Sequence, residues 1–294
     1  MTVQAGSSVP RRRVSVVIPA LNEARNLPHV FARLPLDVHE VIVVDGHSVD
    51  DTISVARQLR PDVRIVLQSR RGKGNALACG FAAATGDIIA MIDADGSADP
   101  GEIPRFVQAL VAGAEFAKGT RFAPGGGSDD ITRLRALGNR ALVTFVNLCH
   151  RSRYTDLCYG YNAFWQRLVP MLGLDADSPP PPSGGRLWGD GFEVETLIHL
   201  RVAAAGLAVT EVPSFEHSRI HGVSNLSAAT DGLRVLRTIL AELRQSRLRR
   251  PGGRAATAPD LAVAPAEVTP EPSPLAAGRS GDHWGPDLAT RAVE

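Results

Sequence analysis

The chain has 294 residues, of which 44% are hydrophobic, with 32 Lys and Arg against 31 Asp and Glu. This length is ample for a buried core, and the formal net charge of +1 excludes a strongly basic nucleic-acid-binding protein as the default interpretation. The three cysteines form neither a CxxC pair nor a metal-ligand spacing, which argues against a disulfide scaffold and favours a reducing compartment.

The charge is unevenly distributed along the chain. Residues 251–294 carry three arginines against six acidic residues and contain seven of the 21 prolines, so residues 1–250 hold the balancing positive charge. Few large apolar side chains occur in this last segment, and we predict that it is a disordered tail. The predicted organisation is a flexible N-terminus at 1–13, a folded domain at 14–228, a basic amphipathic helix at 229–250 and the tail.

The sequence has no apolar run of 18 residues, and the apolar stretch Val14–Ala20 is short and contains Pro19. We therefore predict neither a transmembrane helix nor a signal peptide. The expected location is the cytoplasm, with any membrane contact peripheral.

Strands and helices alternate in the first half of the chain. We predict strands at Val14–Pro19, Glu40–Asp45, Val63–Gln68 and Asp87–Asp93, and helices at Asn22–Leu34, from Asp50 or Asp51 to Leu59, and at Gly74–Ala84. This alternation predicts an α/β fold with a mostly parallel sheet and helices on both of its faces. Ligands of such sheets bind beyond the carboxyl ends of the strands. Polar residues cluster at those ends, namely Asn22, Glu23, Asp45, Ser48, Asp93 and Asp95.

The second half is less regular. We predict helices at Ile131–Cys149, Asp190–Ala205 and about Asp231–Arg249, a strand at Leu207–Pro213, and a Pro-rich loop at Asp175–Gly185. The final helix carries a leucine stripe flanked by arginines, a pattern suited to an anionic membrane surface. Packing of this helix on the folded domain is the alternative.

Asp93-Ala94-Asp95 is the most informative segment because two carboxylates one residue apart follow a hydrophobic strand. Alternate residues of a strand point to the same side, so both carboxylates are expected to approach one cation. Mg²⁺ and Mn²⁺ prefer oxygen ligands, and Mg²⁺ commonly uses one or two carboxylates plus substrate phosphates. The alternative is a solvated loop, in which Asp99 caps a helix at Pro100.

Four segments occur in order on this scaffold: Pro19–Glu23, Val44–Thr52, Arg70–Ala76 and Asp93–Asp95. Together they closely resemble the nucleotide-sugar half of family-2 glycosyltransferases. The resemblance implies the A-type glycosyltransferase fold, with a Rossmann-like sheet, and a divalent metal, Mg²⁺ or Mn²⁺, held by Asp93 and Asp95. It also implies a donor site formed by Pro19, Ala20, Asn22, Glu23, Asp45, Ser48, Lys73, Asp93, Ala94 and Asp95.

The downstream half resembles the dolichol- or polyprenyl-phosphate sugar synthase branch of that family. The residues that carry this resemblance are Gly119–Gly126, Arg133–Arg135, Gly138–Arg140, Asp156–Tyr161, Glu211–Pro213, Arg219 and Gly222–Leu226. It implies inverting transfer of a hexose from a nucleotide diphosphate sugar, of the GDP-mannose or UDP-glucose type, to polyprenyl or dolichyl phosphate at the inner membrane face. The sequence departs from the branch at Asn162 and Asn225, where basic residues are common, and at Gly46, where a second Asp is common. The first two departures leave the acceptor open.

The resemblance also suggests roles for individual residues. Arginine matches phosphate geometry, and the candidates for phosphate and acceptor binding are Arg121, Arg135, Arg140, Arg219 and Ser224. The candidate catalytic residues are Asp95, Arg121 and Asp156. Asp156 would accept a proton from a hydroxyl acceptor, with Asp190 and Glu193 as substitutes, whereas an anionic lipid phosphate needs no strong base. Glu193 and Glu195 bound the acceptor pocket or form a solvated first helical turn.

Three other functions stay in view. The first is a family-2 enzyme with a soluble hydroxyl or phosphorylated small-molecule acceptor. The second is a sugar-phosphate nucleotidyltransferase, but such enzymes carry a Gly-rich, Arg-containing loop where Pro19–Glu23 stands. The third is a binding module that has lost activity, which both retained carboxylates of the Asp-x-Asp pair disfavour.

Overall fold

The computed structural model describes residues 12–182, 186–222 and 228–248, with side chains of the last helix described over 232–245. The predicted tail at 251–294, nearly all of the predicted N-terminal segment and the candidate Ser224 lie outside the described residues.

The described residues form an α/β fold. The strands are β1 (Val14–Ala20), β2 (Glu40–Asp45), β3 (Arg64–Leu67), β4 (Ile88–Met91), β5 (Phe116–Thr120), β6 (Gly127–Ser128), β7 (Asn162–Trp165), β8 (Val209–Pro213) and β9 (Phe215–Glu216). The helices are α1 (Leu27–Ala32), α2 (Thr52–Leu59), α3 (Lys73–Ala83), α4 (Ile103–Val111), α5 (Arg133–His150), α6 (Val169–Leu172), α7 (Val194–Ala204) and α8 (Ala228–Leu248).

Seven strands form one sheet in the order β3-β2-β1-β4-β7-β5-β8, and β6 pairs with β9 separately. Only β7 runs antiparallel to its neighbours in the seven-stranded sheet, so the prediction of a mostly parallel sheet is confirmed. The carboxyl ends of β1, β2 and β4 therefore meet at one edge.

Both faces of this sheet are covered by helices. Successive side chains of β1 point to opposite faces, and Val16 packs in the cluster that contains Phe106 of α4, whereas Val17 packs with Leu77 of α3. Neither valine is exposed to solvent. Burial on two sides explains why β1, β2 and β4 are largely continuous apolar runs rather than alternating patterns.

The predicted helix over Asn22–Leu34 is shorter in the structure, because it begins at Leu27. Asn22 has a φ of 58°, in the left-handed region, and therefore belongs to a loop rather than to a helix N-cap. The predicted strand Asp87–Asp93 ends at Met91, which leaves both carboxylates of the Asp-x-Asp pair in the turn beyond it. Their proximity therefore comes from a turn, at which Gly96 has a φ of 77°, and not from alternation along a strand.

Strands β5 and β7 were not predicted, and α4 was expected only as a helix that begins at Pro100 after the Asp99 cap. Strand β5 contains Lys118 and Gly119, and β7 begins at Asn162, so neither is a continuous β-branched run. All three of these residues are buried. The strands form because their neighbours in the sheet supply hydrogen bonds and packing that local propensity does not reveal.

A third apolar cluster joins α5, α7 and α8. It includes Val143 and Val146 of α5, Leu200 of α7, and Val235 and Ile239 of α8. One face of the final helix therefore packs on the domain. Across 12–182, 186–222 and 228–248, none of the helices combines the length and the apolar character required to span a bilayer.

Candidate active site

Two loops at the sheet edge are tied together by Asn22 and Ser48. The backbone N–H of Asn22 donates a hydrogen bond to the Ser48 hydroxyl at 2.9 Å, and the Asn22 side-chain oxygen accepts one from Val49 N–H at 2.9 Å. The left-handed backbone of Asn22 permits this arrangement, since asparagine tolerates that region better than most residues. Pro19 and Ala20, at the end of β1, lead directly into this loop.

Asp45, at the end of β2, is only 1% exposed. Its Oδ2 accepts a hydrogen bond from Ser48 N–H at 3.0 Å, whereas its buried Oδ1 has no hydrogen-bond partner among the described residues. An unsatisfied buried carboxylate oxygen is costly, so this atom is suited to accept a hydrogen bond from a ligand hydroxyl or ring N–H.

Arg219 joins the loop after β1 to the Asp-x-Asp turn. Its guanidinium contacts the carboxylate of Glu23, and its Nη1 lies 3.5 Å from Oδ2 of Asp95. Glu23 also accepts a hydrogen bond from the Asn26 amide at 2.5 Å. Burial raises the pKa of Glu23, and this effect outweighs the opposing contributions of Asn26 and Arg219. The segment around Arg219 therefore lies across the site, where His217 N–H also donates to Ser97 O at 2.7 Å.

Lys73, the first residue of α3, is held between two carboxylates. Its Nζ lies 2.6 Å from Asp93 Oδ1 and 2.5 Å from Glu195 Oε1. Burial disfavours the charged amine, but the charges of Asp93 and Glu195 outweigh burial and raise the pKa of Lys73. Burial also raises the pKa of Glu195 despite the nearby ammonium group.

The two glycines that flank Lys73 allow a close backbone contact that fixes its position. A Cβ at Gly72 would lie 2.0 Å from the Asp190 carbonyl oxygen, and a Cβ at Gly74 would lie 1.7 Å from that of Gly189. Only glycine permits this approach. Because residues 189–190 lead into α7, the close contact also brings Glu195 towards Lys73.

Asp93 and Asp95 meet the chemical requirements for a divalent metal. Their side chains are 35% and 21% exposed, respectively, and offer the hard oxygen ligands that Mg²⁺ and Mn²⁺ prefer. Burial and the charge of Asp93 raise the pKa of Asp95, which indicates excess negative charge at this turn. The described residues contain no group of three His, Cys, Asp or Glu side chains able to hold a metal. A metal here would therefore need further oxygens from its ligand.

Arg121 and Asp156 form a buried pair beside β5. Arg121 Nε and Nη2 lie 2.7 and 2.9 Å from the two oxygens of Asp156, and Arg121 Nη1 lies 3.0 Å from Glu216 Oε2. Asp156 is fully buried, and its hydrogen bonds with Arg121 lower its pKa although burial alone would raise it. Its oxygens are already engaged, so this geometry favours positioning of Arg121 over proton transfer.

The other sequence candidates are dispersed. Arg135 pairs with Asp130 at 3.2 Å, and Arg140 is exposed on α5. Asp190 forms a two-fold hydrogen-bonded pair with buried Arg70, at 2.9 and 2.8 Å. These contacts give Asp190 a structural role, because it anchors the segment that precedes α7.

Among the candidates from the sequence, the structure brings together Asn22, Glu23, Asp45, Ser48, Lys73, Asp93, Ala94, Asp95 and Arg219. Glu195 joins this cluster through Lys73, although the sequence associated it with the acceptor pocket or a solvated turn. Asp99 caps the turn at Pro100 as expected, since its Oδ1 accepts a hydrogen bond from Gly101 N–H at 2.8 Å.

A mostly parallel α/β sheet with an Asp-x-Asp turn at its carboxyl edge is the arrangement implied by the sequence resemblance to glycosyltransferases. The model of the family described as glycosyl transferase family 2 matches residues 15–168. The chain belongs to glycosyl transferase family 2, and it is a glycosyltransferase.

Several of the similar proteins have names that refer to polyprenol or dolichol phosphate. The chain is 31% identical over 232 residues to a polyprenol monophosphomannose synthase of Mycolicibacterium smegmatis, covering 75% of this chain and 83% of that one. It is 34% identical over 225 residues to a dolichol-phosphate mannosyltransferase of Pyrococcus furiosus, covering 74% of this chain and 60% of that one. An uncharacterized glycosyltransferase of Mycobacterium bovis is 34% identical over 219 residues, covering 74% of this chain and 92% of that one.

Solved structures share the fold. The crystal structure of glucosyl-3-phosphoglycerate synthase from Mycobacterium tuberculosis, in complex with Mn²⁺, uridine diphosphate and glucosyl-3-phosphoglycerate, matches with a TM-score of 0.60 and 26% identity. The match covers 79% of this chain and 80% of that one. The A-type fold expected from the sequence is thereby confirmed.

Proposed function

We propose that this protein transfers a hexose from a nucleotide diphosphate sugar to a polyprenyl phosphate, with inversion at the anomeric carbon. The observation that carries the donor half of this proposal is the cluster of Asp93, Asp95, Lys73 and Arg219 at the carboxyl edge of the sheet. Its two carboxylates are suited to bind a metal ion, and its ammonium and guanidinium groups are suited to bind phosphate oxygens. The neighbouring structure with Mn²⁺ and uridine diphosphate supports the same assignment.

Each group of the donor site has a distinct task in this proposal. Asp93 and Asp95 would hold Mg²⁺ or Mn²⁺, and the bound cation would supply positive charge to stabilise the departing diphosphate. Arg219 lies beside Asp95, and in this proposal its guanidinium contacts the same phosphates. The free Oδ1 of Asp45 accepts a hydrogen bond from the nucleoside, in the pocket completed by Asn22 and Ser48.

The acceptor half rests on the relatives. Polyprenol monophosphomannose synthase and dolichol-phosphate mannosyltransferase each match across about three quarters of this chain. A phosphate acceptor is already anionic and attacks without a strong base, which agrees with the engagement of both Asp156 oxygens by hydrogen-bond donors. Because such an acceptor resides in a membrane, the reaction would take place at the cytoplasmic membrane surface.

A second candidate has a specific observation in its favour. The glucosyl-3-phosphoglycerate synthase fold matches over 79% of this chain, and Asn162 is uncharged where the lipid branch commonly carries a basic residue. Under this alternative the acceptor is a soluble phosphorylated hydroxy acid. The donor site and its metal would be the same.

An acceptor competition distinguishes the two candidates. The purified full chain is incubated with Mn²⁺, radiolabelled UDP- and GDP-hexoses, and either a short-chain polyprenyl phosphate or 3-phosphoglycerate. We expect label in the organic phase with the polyprenyl phosphate, and none with Asp95→Asn. Asp62→Asn, at an exposed position remote from the site, is the matched control and should retain activity. Label only in a water-soluble product from 3-phosphoglycerate would contradict the lipid assignment and support the alternative.

A further inference from the structure

The solvent side of α5 is apolar. Leu134, Leu137 and Leu148 are 71%, 66% and 77% exposed, respectively, while Val143 and Val146 of the same helix are buried. At 100° per residue the three leucines lie on the face opposite the valines, together with exposed Ala141. This outer face of α5, defined by Leu134, Leu137, Ala141 and Leu148, presents large apolar side chains to solvent near both ends of the helix, with the small Ala141 between them.

The charged residues of α5 itself are all basic, whereas Asp129 and Asp130 precede the helix and Asp130 pairs with Arg135. Between Ile131 and Thr155 the chain contains five arginines, at positions 133, 135, 140, 151 and 153, and no acidic residue. Arg133 and Arg140 lie on α5 itself, to one side of the leucines. An apolar stripe bordered by arginines matches an anionic bilayer, because leucines enter the acyl boundary while guanidinium groups contact head-group phosphates.

The position of α5 links its outer face to the candidate active site. Ser128, shortly before the helix, donates a hydrogen bond to Glu216 at 2.5 Å, and Glu216 pairs with Arg121. Further along α5, Asn139 Oδ1 accepts a hydrogen bond from Leu157 N–H at 3.0 Å, next to Asp156. The segment that leads into α5 and the helix itself therefore contact Glu216 and Leu157, which neighbour the Arg121–Asp156 pair.

We propose that the outer face of α5 docks on an anionic lipid bilayer, and that it holds the Arg121 side of the site at the membrane surface. The second clause rests on the proposed lipid-phosphate acceptor, whereas docking itself does not. A second copy of the chain is a less suitable occupant, because an isologous contact would bring two sets of arginines together without acidic partners from α5.

This assignment differs from the sequence expectation, which placed membrane contact on the final helix. Val235 and Ile239 of α8 pack into the domain, and its outward leucines 233, 236 and 240 are 50%, 37% and 43% exposed. They are thus more sheltered than the leucines of α5. Helix α8 also contains the acidic residue Glu242, whereas α5 contains no acidic residue.

Sedimentation with vesicles tests the docking. The full chain is mixed with vesicles of phosphatidylcholine containing 30% phosphatidylglycerol, or of phosphatidylcholine alone, at 100 mM salt. We expect binding to the anionic vesicles only, with at least a tenfold loss in partitioning for the variant Leu134→Ser/Leu137→Ser/Leu148→Ser. Leu36→Ser, a substitution at a fully exposed leucine outside α5, is the matched control and should bind as the unaltered protein does.

Other outcomes overturn the proposal. These are no binding of the unaltered protein to anionic vesicles, loss of binding only in Leu233→Ser/Leu236→Ser/Leu240→Ser, or a dimer in sedimentation velocity that the α5 variant dissociates. Thermal unfolding confirms that the α5 variant is folded, and the single variant Leu148→Ser provides a milder test. Sugar transfer to a water-soluble short-chain acceptor is measured separately. If no transfer occurs, the proposed function is contradicted, whereas the docking is decided by vesicle binding alone.

Discussion

The ammonium group of Lys73 lies 2.5 Å from Oε1 of Glu195, and this contact connects the start of α3 to the first turn of α7. The same nitrogen lies 2.6 Å from Asp93, so one cation serves the metal-binding turn and a helix from the second half of the chain. Lys73 is one of two lysines in the sequence, and its flanking glycines allow the close backbone approach that creates the contact.

Lys73→Met should lower kcat/KM at least 100-fold. The substitution removes the cation between two carboxylates and leaves the charge of buried Glu195 uncompensated. Steady-state kinetics with the nucleotide sugar provide the measurement. Arg71→Met changes an exposed neighbouring cation and should retain activity within about threefold. An equal loss in both variants would show that general positive charge, rather than the Lys73 contact, supports activity.

Gly160→Ala should weaken donor binding with little effect on the fold. A Cβ at this position would lie 3.2 Å from Lys73 Nζ, 3.3 Å from Glu195 Oε1 and 3.4 Å from Asp93 Oδ2. We expect KM for the donor to rise about tenfold, because the added methyl group displaces this cluster. Gly138→Ala on α5, where a Cβ meets no atom within 4 Å, should leave KM unchanged and stabilise the helix by ~1 kcal/mol. An unchanged KM for Gly160→Ala would contradict the close packing described for the cluster.

Asp156→Asn should destabilise the protein by ~3 kcal/mol, because it breaks a buried two-fold pair and leaves Arg121 without its main partner. The pH profile of kcat/KM, measured on the variant that remains folded, should keep its shape. This is expected because Asp156 positions Arg121 and does not carry the transferred proton. Urea denaturation and pH–rate measurements check both statements. The exposed pair of Asp62 with Arg60 is the comparison, and Asp62→Asn should cost under ~1 kcal/mol. Loss of the acidic limb from the profile of Asp156→Asn would instead identify Asp156 as a base.

The residues at strand ends were predictable from the sequence. Asp45 and Asp93 follow apolar runs, and a parallel sheet gathers the carboxyl ends of its strands on one edge. The relationship of Glu195 to Lys73 was not predictable, since it depends on the packing of two glycines against residues 189–190. Nor was the pairing of Asp156 with Arg121, which lie on separate segments brought together by β5 and β7.

The outer face of α5 illustrates a further limit. The sequence predicted a helix over this segment, but Leu134, Leu137 and Leu148 lie on one face and Val143 and Val146 on the opposite face, and periodicity alone does not say which face is buried. Only the packing of Val143 and Val146 against Leu200 of α7 assigns Leu134 and Leu137 to solvent.

Because His199 is buried, the free energy of unfolding should decrease as the pH is lowered through 6.5. Burial, aided by the charge of Lys118, lowers the pKa of His199 well below its usual value, and its ring contacts Leu157 O and Asn162 Oδ1. Below about pH 6.5 the unfolded chain binds a proton at this histidine and the folded chain does not. The free energy of unfolding therefore decreases below that pH, by up to ~1.4 kcal/mol per pH unit. Urea denaturation at pH 7.5, 6.5 and 5.5 measures this slope.

The control for this measurement is a matched pair of variants. His199→Gln should reduce the slope between pH 6.5 and 5.5 by about one bound proton, whereas His39→Gln changes an exposed histidine and tests for a general effect of removing an imidazole. A slope that is the same in the unaltered protein and in His199→Gln would contradict the assignment.

Calorimetric titration of a nucleotide diphosphate sugar, with and without Mn²⁺, tests most directly whether Asp93 and Asp95 form the centre of the donor site. For the unaltered protein we predict binding of a UDP- or GDP-sugar that strengthens at least tenfold when Mn²⁺ is present. Asp95→Asn should retain only the weaker, metal-independent affinity, because one of the two carboxylates is lost. Affinity that is equal with and without Mn²⁺, and equal in Asp95→Asn, would contradict this account.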